Sequence, residues 1–430
     1  MVSLTRKRRF LRSIFLVFVV IALSSTAQAQ STDASIIGPE ITISALASDE
    51  WSPDIAYNSV HNEYLVVWEN AWPGGHKDIY AQRLSGDGRL LSWFAVATNT
   101  NKQMNPSVAY DPIHDRYLVV FAYDYYGNDS DWDINGRFIP WDGPDPNLVD
   151  FGICTWGSNQ RRPAVAFAYT EEEFLVTWTN TPAGQPTYIS ARRVFAGGGF
   201  PPGDGFTVSS GPENRDFQDV AYNLARNEYL VTWDVESAGD SLNIAGVRLN
   251  AMGQPLLGGD PYAIGEFTIA GWPDSEERPA VAACFTADQY MVAWQSDVGT
   301  GGTDYAIYAR YLDGEAHLGS VHLISNTPAP QLYVDISCDF LGKKYFLAWQ
   351  DKYVGGEYGI WGRFALPNTT LGPEFEVVGP RHQADREFPA VAGGKAGFLA
   401  AWEHDRDGGT NKDLHGRLLA YLMYLPAIVK

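Results

Sequence analysis

The stretch "NEYLVVWENAWPGGHKDIYAQRL" (62–84) sets two apolar rhythms on either side of a polar gap. "YLVVW" is a short continuous run of β-branched and aromatic residues, whereas "DIYAQRL" alternates. The Pro- and Gly-bearing segment between them breaks strands and makes turns, so the pattern predicts a hairpin. A hairpin cannot bury its apolar face alone, and six further copies follow. Runs ending in Trp68, Phe121, Trp178, Trp233, Trp294, Trp349 and Trp402 recur at intervals of 53 to 61 residues. A strand centred on Ile55, Val108, Val165, Val220, Val281, Ile336 or Val391 precedes each run. Another follows, carrying Ile79, Ile134, Ile189, Ile244, Ile307, Ile360 or Leu414. Two residues further on stand Ala81, Gly136, Ala191, Gly246, Ala309, Gly362 and Gly416. A small residue at all seven places implies close approach of a neighbouring side chain or backbone.

A fourth strand completes six of the units, around Phe94, Phe151, Phe206, Phe267, Leu323 and Phe375. The seventh has none of its own. Its partner stands at the other end of the chain, where "GPEITIS" (38–44) matches "GPEFEVV" (372–378) in turn and alternation. A fourth strand donated from the N-terminus to the last unit turns a row of sheets into a ring. The expected fold is all-β, a seven-bladed β-propeller of four-stranded blades spanning residues 30–420, closed by an N-terminal strand that completes the last blade.

Over roughly 38–418 the unit "PxVAY…NEYLVVW…DIYAQRL" resembles the β-propeller-like repeats of secreted bacterial proteins, and the "W…GIYAQR" repeats of large bacterial adhesins. It lacks the Gly-His and Trp-Asp signature of WD repeats. The resemblance implies an exported, repeat-built binding protein and assigns no catalytic residue.

The two ends change the picture. "RKRRFLR", "SIFLVFVVIAL" and "STAQA" form the basic, apolar and small-residue zones of a signal peptide, 1–29, with cleavage expected after Ala29. The protein is therefore expected to be secreted or displayed at the cell surface, without a membrane span once the leader is gone. The apolar tail 421–430, "YLMYLPAIVK", is too short to span a bilayer. It resembles the endings of exported proteins that carry a sorting tag, with packing on the last blade as the alternative. A net charge of −20, more negative still without the basic leader, argues against nucleic acid and anionic membrane as partners. Three cysteines are too few for a disulfide framework. Buried free thiols are the preferred reading, with one bridge between Cys284 and Cys338 as the alternative.

Antiparallel connectivity brings the loops between second and third strands to the same face as the blade-to-blade loops. The former are acidic: Asp124, Asp129 and Asp131, then Asp234, Glu236 and Asp240, then Asp405 and Asp407. The latter carry Arg161, Arg162, Arg215, Arg278 and Arg386 towards the ring's funnel. Six of the fourteen tryptophans fill the repeated core position, but Trp51, Trp72, Trp132, Trp156 and Trp272 fall in loops of this one face. Exposed indoles beside carboxylates and arginines suit sugar recognition, since the ring stacks on a pyranose while charged groups take its hydroxyls. The alternatives are ordinary solvated charges and indoles that plug gaps between blades.

"DWDING" (131–136) fits the start of a calcium loop through Asp131, Asp133 and Asn135, which makes calcium the one cofactor candidate. In repeat register it is also the start of a third strand. No HExxH, GxSxG or phosphate-binding glycine loop is present. "SGDGRLLSW" (85–93) resembles a sialidase Asp box only faintly and is read as a turn. The expected function is a monomeric binding module for a glycan or protein ligand, acting through its acidic, Trp-bearing face. The alternatives are a polysaccharide-cleaving hydrolase or lyase on the same face, which needs only converging carboxylates, and a structural cell-envelope scaffold.

Overall fold

The computed structural model describes residues 35–203, 205–237, 241–258, 260–297, 304–325, 327–353, 355–367, 369–380, 385–405 and 412–421. For 35–37, 257–258, 260–264 and 421 it does so through the backbone alone. The expected leader, tail residues 422–430, Asp240 and Asp407 lie outside the described residues.

Seven four-stranded antiparallel sheets follow one another along the chain. Blades 1 to 6 occupy residues 49–97, 103–154, 159–209, 215–270, 276–325 and 331–378. Blade 7 takes three strands from 386–421 and its fourth, Ile41–Ser44, from the N-terminus. Ile41 lies opposite Gly416, Thr42 opposite His415 and Ser44 opposite Leu414. The backbone of Ser35–Ile37 continues the same pairing along 419–421. First strands of successive blades are neighbours, including those of blades 7 and 1, so the ring closes as the repeat pattern predicts. A short hairpin, Leu257–Gly258 with Asp260–Ile264, is inserted before the last strand of blade 4. Among the described residues the only helical element is a single 3-10 turn, Phe285–Ala287, and no helix is long and apolar enough to cross a membrane.

Packing explains the repeat signals. The aromatic ring that ends the apolar run of each second strand is fully buried, from Trp68 to Trp402. The small third-strand residue leaves room for the aliphatic side chain of the fourth strand. A Cβ added to Gly136 would stand 2.8 Å from Ile153 Cδ1, and one on Gly246 2.8 Å from Ile269 Cδ1. On Gly416 it would meet Ile43 Cδ1 at 2.8 Å, so the N-terminal strand fills the role that internal strands fill elsewhere. One residue after the small position, Arg137, Arg192, Arg310, Arg363 and Arg417 each reach the preceding blade, donating to the carbonyls of Val96, Ile153, Ile269, Ile324 and Val377 at 2.6–2.8 Å.

The cysteine expectation needs correction. Cys284 and Cys338 form a disulfide between the first strands of blades 5 and 6, with their Cα atoms 5.5 Å apart. Near-equivalent strand ends in adjacent blades come within the reach of a bridge. Cys154 alone is a buried free thiol, pushed up to about 12 by burial.

Candidate functional site

Every first strand is interrupted at the same place. Pairing with the second strand skips two residues, between Trp51 and Asp54, Met104 and Ser107, Arg161 and Ala164, Asp216 and Asp219, Glu277 and Ala280, Leu332 and Asp335, and Glu387 and Ala390. The first skipped residue is left-handed in all seven blades. These are Ser52, Asn105, Arg162, Phe217, Arg278, Tyr333 and Phe388, with φ between 50° and 54°. In five blades a proline follows, which has no N–H to give to the ladder. A left-handed residue with a side chain costs about 1–2 kcal/mol and persists only where its surroundings hold it. Here the preceding blade does so, through the residue just after the buried second-strand aromatic. Glu403 accepts from Ser52 N at 2.9 Å, Glu69 from Asn105 N at 3.2 Å and Asp234 from Arg278 N at 3.2 Å. Gln295 accepts from Tyr333 N at 3.0 Å, and Gln350 from Phe388 N at 3.1 Å.

The bulges turn their residues onto an axial cavity of about 490 Å³. Cations and aromatic rings alternate around much of its mouth. Arg162 lies 4.1 Å from the centre of the Phe217 ring, and Arg278 lies 3.8 Å from the centre of the same ring and 4.8 Å from that of Tyr333. Tyr333 packs on Phe388 at 4.2 Å, and Lys412 bridges Phe388 and Trp51 at 5.7 and 4.0 Å. Two of these cations are paired: Arg162 with Asp216 at 2.6 Å, Lys412 with Glu403 at 2.7 Å and Glu387 at 2.9 Å. Half-buried Arg278 differs, because among the described residues no acceptor receives a hydrogen bond from its guanidinium, which rests on the two rings within the field of Asp234.

A second cavity of about 410 Å³ opens beside Arg278 and Phe217, lined also by Asp216, Asp234, Glu236 and Glu277. Asp216 and Asp234 are directly opposed on the first and second strands of blade 4. That places their Cβ atoms about 5 Å apart on one face. Burial pushes the Asp234 carboxyl up to about 7, against the opposing pull of the Arg278 N–H, and Asp216 adds repulsion. Deeper in the axial cavity, Asp54, Asp219 and Asp335 each accept two backbone N–H groups, one from their own strand and one from the next blade.

The residues expected from sequence part company here. Arg162 and Arg278 line the axial cavity. Arg161 instead lies 5.3 Å over the Trp132 ring. Arg215 is buried against Ser209 and the carbonyl of Glu213, and Arg386 is fully buried with Nη2 3.9 Å from Glu40. Arg215 and Arg386 stand two residues before the bulge, where Glu50, Gln103, Gln160, Glu276 and Gln331 are equally buried.

The five indoles do not assemble. Trp132, expected exposed, is 2% exposed and belongs to the core of blades 2 and 3. Trp272 packs on Trp294 and Tyr308, and Trp72 donates to Asp78 at 2.7 Å with its ring edge-on to Tyr80. Trp51 carries Lys412, and Trp156, at 39% exposed, sits edge-on to Trp178. No ring contact joins any two of the five among the described residues. The aromatic surface of the mouth comes instead from Phe217, Tyr333 and Phe388, whose sequence signal was their place just ahead of the "PxVAY" position.

The acidic loops are partly occupied in shaping themselves. Asp124 accepts from Gly127 N and Asp129 N, and Asp129 pairs with Lys102. Asp133 and Asn135 belong to the regular third strand Trp132–Pro140, which Asp131 immediately precedes. Burial pushes Asp133 up to about 6. "SGDGRLLSW" forms the expected turn, with Gly88 N donating to the Ser85 carbonyl at 2.8 Å.

No protein-family model matches the chain, and no curated protein does. Among solved structures, a Dyadobacter fermentans protein of unknown function aligns at TM-score 0.50 and 10% identity, covering 90% of this chain and 98% of that one. The β-propeller domain of the Trilobed protease from Pyrococcus furiosus aligns at TM-score 0.49 and 8% identity, covering 87% and 97%. A Trypanosoma rangeli sialidase in complex with 2,3-difluorosialic acid aligns at TM-score 0.47 and 8% identity, covering 87% of this chain and 54% of that one, so the chain spans about half the sialidase's length. At such identities the likeness is one of fold alone. The chain is a seven-bladed β-propeller of four-stranded blades.

Proposed function

We propose that this protein is an exported or surface-displayed binding module that takes an acidic glycan at the mouth of its ring. The reading rests on Arg278. Its guanidinium is fixed between Phe217 and Tyr333, lines both cavities and donates to no acceptor among the described residues. A planar fork of donors held this way is suited to a carboxylate, which it binds through two parallel hydrogen bonds. Phe217, Tyr333 and Phe388 supply the apolar surface for a sugar ring. The overall negative charge makes this a local exception, so the ligand carries few charges per contact and not a dense polyanionic face.

The test is retention on arrays of uronate- or sialate-bearing glycans beside neutral ones. Arg278→Ala is expected to weaken acidic-glycan binding roughly 10- to 100-fold, from the loss of charged hydrogen bonds worth about 1.5–3 kcal/mol, while its melting temperature stays within a few degrees. Arg278→Lys restores charge but not the fork and is expected to fall between. Unchanged binding by Arg278→Ala, or no preference for acidic glycans, overturns the reading.

A second reading draws on the opposed pair Asp216 and Asp234. A buried carboxyl raised to about 7 facing a carboxylate paired with Arg162 is the arrangement from which acid and nucleophile roles arise in glycoside hydrolysis. New reducing ends, lost in Asp234→Asn, would replace binding by catalysis. Retention of no glycan at all would leave a protein ligand or an envelope scaffold.

A further inference from the structure

A second polar cluster lies away from the mouth cavities, at the seam where the N-terminal strand joins blade 7. Glu40, just ahead of the closing strand, and His404 and His415, on the second and third strands of blade 7, each place a ligand atom within 4.8 Å of the other two. His404 and Asp413 are cross-strand partners, as are Trp402 and His415, so the four side chains of Glu40, His404, Asp413 and His415 share one face of the sheet. His404 Nδ1 and His415 Nε2 stand 3.1 Å apart, and Asp413 Oδ2 is 4.0 Å from His415 Nε2. Two imidazole nitrogens bound to one metal at 2.0–2.1 Å in a tetrahedral arrangement are separated by about 3.3 Å. On its other side His415 meets Glu40 through Nδ1 at 2.9 Å. Glu40 is in turn flanked by Arg386 and Arg417, each 3.9 Å away.

We propose that this seam is a binding site for a divalent transition metal of the zinc type. His404 Nδ1 and His415 Nε2 supply the two imidazole ligands, Glu40 orients His415 through Nδ1, and Asp413, with Oδ2 4.0 Å from His415 Nε2, is the carboxylate that would move in to complete the set. Two imidazoles and one carboxylate are the donor set that suits such ions, leaving a fourth position for water. The carboxylate on Nδ1 fixes the tautomer that exposes Nε2, the usual arrangement behind a metal-bound histidine. Arg386 and Arg417 hold Glu40 in that orienting place and keep it from becoming a ligand itself. Because Glu40 precedes the closing strand and the ligands sit on blade 7, metal binding ties the chain's two ends together. It is thus a clasp on the ring, independent of whatever the mouth binds.

The test uses the chain without its leader, stripped with chelator. Addition of Co2+ is expected to give visible d–d absorption that saturates at one equivalent and is displaced by Zn2+. Zn2+ is expected to raise the melting temperature and slow amide exchange at 41–44. The double variant His404→Ala/His415→Ala loses the absorption and the stabilisation. Glu40→Gln keeps the spectrum but binds 10- to 100-fold more weakly, as orienting partners do. Should the double variant fold poorly, His404→Gln provides the same comparison. No saturable Co2+ spectrum in the parent, or an identical one in the histidine variants, refutes the site and leaves the histidine pair as a shared hydrogen bond.

Discussion

Replacing Ile43 by Ala tests the closure of the ring at one contact. Ile43 is buried in the seam between blades 7 and 1, in one cluster with Val66, Leu84 and Leu414, and its Cδ1 lies over Gly416. Three buried carbons at about 0.8 kcal/mol each give about 2.5 kcal/mol, and the cavity left behind brings the expected loss into the range of roughly 2–5 kcal/mol. Ile269→Ala is the control, because Ile269 makes the same contact over Gly246 inside blade 4. Both variants are expected to lower the denaturation midpoint by similar amounts. They differ in where the protein opens. The strand bearing Ile269 is covalently continuous with its own blade, whereas Ile41–Ser44 is held on blade 7 only by what it touches. Amide exchange along 414–418 is therefore expected to accelerate in Ile43→Ala, about 70-fold for a 2.5 kcal/mol loss of local opening energy. Ile269→Ala should leave it unchanged. A loss below about 1 kcal/mol, or exchange at 414–418 no faster than in the control, would mean that the N-terminal strand does not hold the ring. The bond from Ser52 N to Glu403 and its neighbours would then carry closure alone.

The disulfide closes a loop of 54 residues, so the double variant Cys284→Ala/Cys338→Ala is expected to lose about 4 kcal/mol on the chain-entropy estimate, read from guanidinium unfolding with and without reductant. A reductant effect on the parent as small as on the variant would contradict it. Stability is also expected to fall from pH 4 to 8. Asp219 is protonated in both states below its ordinary value, but burial raises it to about 6 in the folded protein, so stability present at low pH is lost as pH passes from about 4 to 6. That shift alone corresponds to about 3 kcal/mol, and Glu50 and Glu276, raised to about 7 by burial, act in the same direction. Asp219→Asn should flatten the pH profile of the denaturation midpoint; a parent that gains stability between pH 5 and 8 would show that the buried carboxylates are not destabilised.

Repeat number, strand order and end-to-end closure were legible because each rests on a period that recurs seven times, so one weak unit is outvoted by six others. The buried ring at Trp68 and its equivalents follows from that register, as does the space kept clear at Gly136, Gly246 and Gly416. The candidate site was less legible, because one residue of offset reverses a strand's side chain. Arg162 lies at the bulge and lines the cavity, while Arg161 beside it turns onto Trp132. Arg215 and Arg386 fall two positions earlier and are buried. Phe217 and Phe388 carry no sequence signal of their own, since nothing in a single apolar letter shows that its φ is positive. Trp132 opens the third strand of blade 2 and so turns into the core, while Trp272, in a short loop, folds back onto the nearest blade. The bridge between Cys284 and Cys338 depended on a distance that spacing alone does not give.

The bulge layer separates what the fold needs from what a ligand would read. Its seven residues keep φ within 50–54°, yet their side chains are Ser, Asn, Arg, Phe, Arg, Tyr and Phe. Their backbone is held from outside, at five interfaces by an acceptor on the preceding blade, so the side chain does not secure the conformation. Two residues before the bulge the side chain is a buried Glu, Gln or Arg in every blade, and two residues after it is Asp, Ser or Ala. These flanking layers are restricted by packing, whereas the layer between them is restricted mainly in its backbone. Chemistry can therefore vary around the ring without altering the ring. In this chain it varies in one direction, with cations and aromatics on blades 3 to 7 and the small polar Ser52 and Asn105 on blades 1 and 2. A ligand entering along the axis, as proposed, would meet a small polar side and an aromatic, Arg278-bearing side, and this asymmetry in an otherwise seven-fold frame would orient it.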